Sequence, residues 1–101
     1  MFNVFEALVK TIRDRKSSSE QESYTKKLLV DKNLCREKVM EEINELVDAL
    51  SKKKNEVHEA ADVIYHLLVL LEANDIKIED VLDELKKRQG ISGLVEKANR
   101  E

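Results

Sequence analysis

Residues 58–71 read HEAADVIYHLLVLL. From Ala60 onward only Asp62 and His66 interrupt an otherwise apolar run. Such a run is too long for an ordinary strand and reads as a buried helix. Glu59 and Asp62 stand three apart on it, and His66 four further on. At 100° per residue these three share one narrow stripe, bordered by Val63, Val69, Leu70 and Ala73. Burying unpaired charge is expensive, so the stripe needs a partner.

The preceding segment, CREKVMEEINELVDAL at 35–50, carries a matching feature. Val39, Ile43, Leu46, Val47 and Leu50 define a broad apolar arc, expected to face inward. Glu42 falls inside that arc, close to Cys35, Leu46 and Ala49. Glu45 lies at its margin. Glu41 lies further out but within reach of Glu45. Two consecutive helices thus each carry an acidic pair on an inward surface. Antiparallel packing would crowd four carboxylates into one place. Such a group must be protonated, paired with Lys or Arg, or bound to metal. An all-oxygen ligand set suits Mg²⁺ or Mn²⁺. Di-iron bundles use Glu-x-x-His on two helices, and that motif is absent. His58 reads as a surface residue.

Bulk properties frame this reading. The 101 residues suit one domain, 1–101, with a small core. A chain this short is marginal alone, so a core shared in an oligomer is expected. With 39% charged residues, 4% aromatic and no proline, the composition favours amphipathic helices. Net charge is −3, without the basic excess of a nucleic-acid binder. The single Cys35 excludes an internal disulfide or a multi-cysteine zinc site. The N-terminal MFNVFEALVKTIRDRK lacks the features of a signal peptide. The longest uncharged run, VIYHLLVLL, is too short to span a membrane. A soluble cytoplasmic protein is expected.

Along the chain, Asn3 can cap a first helix, with Glu6 in a capping-box position and Val4, Phe5, Leu8, Val9 and Ile12 facing inward. That helix is expected to reach about Lys16. KSSSEQES reads as a loop, and SYTKKLLV as a short helix. Asp31 or Asn33 can cap the next helix, which extends to about Lys53. A turn near Asn55 leads into the quoted helix, ending near Asn74-Asp75. A further helix buries Val81, Leu82 and Leu85, and Gly90 suits its C-terminal stop. The tail 91–101 is expected to be peripheral.

Glu41-Glu42-x-x-Glu45, followed after thirteen residues by Glu59-x-x-Asp62, resembles the EExxE…ExxD signature of the all-α nucleoside-triphosphate pyrophosphohydrolases, the MazG-like superfamily. IRDRK at 12–16, SYTKKLL at 23–29, KVMEEINE at 38–45, EAADVIYHLLVLL at 59–71 and the tail GISGLVEKANR look like phosphoribosyl-ATP pyrophosphohydrolase. The resemblance implies an all-helical homodimer. It implies Mg²⁺-dependent hydrolysis of phosphoribosyl-ATP to phosphoribosyl-AMP and diphosphate, the second step of histidine biosynthesis. It makes Glu42, Glu45, Glu59 and Asp62 the metal ligands, with Mn²⁺ a possible substitute. Glu41 is a further ligand or the base for the attacking water. Met40 and Ile43-Asn44 depart from the usual pattern, which bears on packing near the site.

Phosphate also needs positive charge. Arg13, Arg15 and Lys16 are the candidates, with Lys26, Lys27 and Lys38 behind them. Ser23, Tyr24 and Thr25 can present hydroxyls to phosphate or serve as a helix cap. His66 is assigned to a substrate contact or to support of the site, not to a metal bond. The competing readings are a sister enzyme cleaving other nucleoside triphosphates, and a non-enzymatic helical protein whose acidic stripes meet a basic partner.

Overall fold

The computed structural model describes residues 2–89, and among them five α-helices and no strand. α1 spans Phe2–Asp14 and continues as one 3-10 turn at Arg15–Ser17. α2 is Tyr24–Val30, α3 Lys32–Lys52, α4 Glu56–Ala73 and α5 Ile78–Arg88. The expected all-α architecture is therefore present. Gly90 and the tail 91–101 lie outside the described residues.

Side-chain chemistry sets the boundaries. Ser23 caps α2, its Oγ accepting the Lys26 N–H at 3.1 Å. Asp31 closes α2 and opens α3, its carboxylate accepting the Leu34 N–H at 3.0 Å. The cap is thus Asp31 and not Asn33. Between α3 and α4 the chain reverses through Lys53 and Asn55, with φ of 54° and 62°. The Lys54 N–H returns to the Ala49 carbonyl at 3.1 Å, which satisfies a carbonyl at the end of α3. Asn3 is not a cap. α1 already begins at Phe2, so the exposed Asn3 stands inside the first turn. An exposed helix start can leave its orphan N–H groups to water.

The short turn makes α3 and α4 an antiparallel pair with the most extensive interhelical contact of the fold. α2 lies against both, and α1 packs on α4. The core joins Ile12, Leu28, Leu29, Cys35, Leu68, Val69 and Ala73, with Phe5, Leu8, Val9 and Tyr65 among its partly buried margin. Val4, expected inside, is 76% exposed, because α1 meets the body along one face only.

Two further expectations are corrected. The apolar arc of α3 is wider than one neighbouring helix can cover. Val39 and Ala49 are buried, while Ile43, Val47 and Leu50 are exposed with Met40. Ile64 and Leu67 of α4 are also exposed. In α5, Ile78 and Val81 are half-buried, but Leu82 and Leu85 are exposed. This helix is fastened at its first turn by Arg13, whose guanidinium meets Glu79 at 2.9 and 2.6 Å. No helix among the described residues is long and apolar enough to cross a membrane.

Candidate active site

Hairpin packing of α3 on α4 brings the acidic pairs together. One carboxylate oxygen each from Glu42, Glu45 and Glu59 lie within 4.8 Å of one another. A second group, sharing Glu59, adds Asp62 and His58 within the same limit. The four expected ligands thus form two linked groups rather than one. Among the described residues, no Lys or Arg forms an ion pair with Glu42, Glu45 or Glu59. Glu42 Oε2 and Glu59 Oε2 are buried and have no hydrogen-bond partner. Burial pushes both carboxyls above the ordinary range, and the neighbouring Glu45 pushes them further. Buried acceptors of this kind are rarely left unsatisfied in a native protein. Hard oxygen donors, an acidic excess and two orphaned oxygens fit a divalent cation such as Mg²⁺ or Mn²⁺.

A supporting layer lies behind the cluster. His66 is 6% exposed. Its Nδ1 is 2.7 Å from the Asp62 carbonyl oxygen, which can only accept, so Nδ1 carries the proton. Nε2 then accepts from the Tyr24 hydroxyl at 3.1 Å. Both ring nitrogens are used inside the protein, and His66 holds Tyr24 in place. Thr25 Oγ1 bonds to the Tyr65 hydroxyl. The Ser23-Tyr24-Thr25 segment is therefore anchored by one cap and two cross-helix bonds. Burial raises the pKa of the Tyr24 hydroxyl, and the charge of Lys38 opposes that rise.

The sequence comparisons point one way. The family model for phosphoribosyl-ATP pyrophosphohydrolase matches residues 5–89. The chain belongs to the phosphoribosyl-ATP pyrophosphohydrolase family. A phosphoribosyl-ATP pyrophosphatase of Neisseria meningitidis serogroup B is 50% identical over 97% of this chain and 94% of its own length. One from Caulobacter sp. (strain K31) is 43% identical over 99% and 95%. One from Rhodobacter capsulatus is 44% identical over 92% and 93%. The five helices accord with the all-α MazG-like fold of this pyrophosphohydrolase family.

The remaining candidates in this family member divide. Glu41 is exposed and pairs with Lys38 at 3.2 Å, apart from the clustered oxygens. Arg13 and Lys16 are committed elsewhere. Arg13 Nε lies 3.4 Å from Glu72, and Lys16 Nζ lies 2.6 Å from the same carboxylate. Burial pushes Glu72 up, but Lys16 and Arg13 outweigh it and hold the carboxyl below its usual range. Arg13 draws Glu79 down to about 2. Glu72 stands thirteen residues beyond Glu59 on α4. That separation is about 20 Å along the axis, so this ionic network sits at the far end of the helix. Arg15 is exposed, with no side-chain bond to another described residue. Lys26 Nζ donates to the Lys16 carbonyl at 2.5 Å.

Sequence reasoning missed two contributors. Glu72 neutralises two of the proposed phosphate contacts, and Tyr65 secures Thr25. His58 is on the surface, as expected, with its ring 3.3 Å from Asp62.

Proposed function

We infer that this chain hydrolyses phosphoribosyl-ATP to phosphoribosyl-AMP and diphosphate in the second step of histidine biosynthesis. Glu42, Glu45, Glu59 and Asp62 would hold Mg²⁺, or Mn²⁺ in its place. The observation that carries this reading is the pair of buried, unpartnered oxygens on Glu42 and Glu59. A bound Mg²⁺ would supply charge neutralisation for the phosphates and acidify a water.

The chain's own residues supply the rest. Glu41 is exposed and, among the described residues, partnered only by the half-buried Lys38, so its carboxylate remains able to accept a proton from water. Lys38, whose ammonium pairs with Glu41 at 3.2 Å, can move its charge onto a phosphate oxygen when substrate arrives. Tyr24 gives its one hydroxyl proton to His66, so it would contact a phosphate oxygen only by turning that proton away from the imidazole. Arg15 is free to reach phosphate, whereas Arg13 and Lys16 must first leave Glu72.

The exposed face formed by Met40, Ile43, Val47, Leu50, Ile64 and Leu67 supports a homodimer. Each such side chain stabilises by about 1.5–3 kcal/mol when fully buried. A second copy of α3 and α4 would complete a core that one chain leaves open. Localisation in the cytoplasm follows from this biosynthetic role.

The test is diphosphate release by the purified chain from phosphoribosyl-ATP, beside ATP and other nucleoside triphosphates, with Mg²⁺ or with chelator. Release confined to phosphoribosyl-ATP with Mg²⁺ is expected. Equal or better turnover of ordinary triphosphates would replace this substrate with theirs. Release that survives chelation would remove the metal.

A further inference from the structure

α5 buries no residue completely, and its Leu82 and Leu85 are 46% and 52% exposed. Between α5 and α1 runs an open groove of about 400 Å³. Phe5 and Val9 line one side of it, Ile78 and Leu82 the other. Its rim is charged. Asp14 pairs with Lys10 and Glu79 with Arg13. Glu6, on the same rim, meets no cation among the described residues. The groove shares no residue with the carboxylate cluster or with the exposed apolar face of α3 and α4.

The chain itself supplies a segment of matching reach and pattern. α5 ends at Arg88, and Gln89 leaves it in extended conformation, with φ −67° and ψ 134°. Residues 90–101 follow. Both glycines of the chain, Gly90 and Gly93, stand at this junction, where a reversal calls for backbone angles that other residues avoid. Ile91, Leu94, Val95 and Ala98 are the apolar residues of the tail, spaced i, i+3, i+4 and i+7. At 100° per residue they form one stripe, and Lys97 borders it. A helix over 94–101 would be about 12 Å long, and Leu82 lies about 9 Å back along α5 from Arg88. We propose that residues 94–101 turn back as an amphipathic helix and seat Leu94, Val95 and Ala98 in the α1–α5 groove of their own chain, with Lys97 toward Glu6. So short a tether keeps the segment at high effective concentration beside its own groove, which favours this chain's groove over a second copy's. The tail then covers the exposed leucines of α5 and holds that helix a second time, besides Arg13 and Glu79. This hold needs neither metal nor substrate.

The experiment uses the full-length chain, isotope-labelled, as wild type and Leu94→Asp. Methyl NOEs are recorded by NMR, and a sample mixed from labelled and unlabelled chains is filtered for contacts between copies. NOEs from Leu94 and Val95 to Phe5, Val9 or Leu82 are expected, and the filtered spectrum is expected to lack them. Amide hydrogen exchange is then followed in both proteins. Leu94→Asp is expected to speed exchange in α5 at least about tenfold, the order set by ceasing to bury one leucine, and to leave exchange in α3 and α4 unchanged. Absence of the NOEs overturns the proposal. Their appearance only between copies overturns docking within one chain and makes the tail an exchanged arm. NOEs from the tail to Val47 or Leu67 assign it to the α3–α4 face and overturn the proposal too. So does equal exchange of α5 in the two proteins.

Discussion

Glu42 on α3 and Glu59 on α4 each bury one oxygen without a partner, and Glu45 adds its charge to both. Without a cation, this arrangement opposes the packing of the two helices that carry it. Glu42→Gln keeps the shape and removes one charge. We expect it to raise the melting temperature in chelator while lowering kcat/KM for phosphoribosyl-ATP by at least about a hundredfold, on the scale seen when a group that stabilises transition-state charge is lost. A scan of both proteins in chelator, with a diphosphate-release assay, reads both effects. Full activity in the variant would remove Glu42 from the site.

The ionic fastening of α5 predicts an acid limit. Glu79 is held at about 2 by Arg13, well below the unfolded value near 4.3. The group's folded pKa is depressed, so its stabilisation is complete above the unfolded value and is lost as pH falls toward 2. Glu79→Gln should therefore lower stability at neutral pH and flatten the loss between about pH 4.3 and 2. Thermal melts at stepped pH test this. Parallel curves for the two proteins would show that the ion pair contributes nothing.

Tyr24 and His66 share one bond at 3.1 Å. Tyr24→Phe leaves the buried Nε2 without a donor, at a cost of about 1 kcal/mol. If substrate draws the Tyr24 proton from His66 to a phosphate oxygen, KM for phosphoribosyl-ATP rises in Tyr24→Phe while Mg²⁺ affinity stays the same. Denaturant melts, steady-state kinetics and metal titration separate these effects. An unchanged KM would make Tyr24 purely structural.

The exposed apolar face predicts association. Val47→Glu, with Val47 58% exposed in the single chain, should leave the helices intact. It should convert a dimer to a monomer in sedimentation velocity. Circular dichroism checks that the helices survive. A wild-type monomer at high concentration would remove the dimer from the picture.

Helix period alone located much of the candidate site. Glu42, Glu45 and Glu59 could be placed together because they lie on two helices joined by a short, recognisable turn. Arg13 and Lys16 could not be judged that way. Their partner Glu72 lies on α4, in contact with α1 only after the chain folds, and no local spacing announces it. Ile43, Val47 and Leu50 were misplaced for a related reason. Their periodicity marks a face to be covered, but it does not say whether this chain or another covers it. Asn3 shows the limit of capping rules at an exposed helix start.

The three-residue reversal at Lys53–Asn55 has a consequence for the order of events during folding. Every clustered carboxylate lies between Glu42 and Asp62, inside one helical hairpin. Closing so short a loop costs little chain entropy, so contacts this local form early. Repulsion between the carboxylates then burdens the first piece of the structure to assemble, before α1 and α5 dock. Relieving it, with Glu42→Gln or a divalent ion, should steepen the approach to the native state. The change would be read in the refolding limb of a chevron plot more than in the unfolding limb.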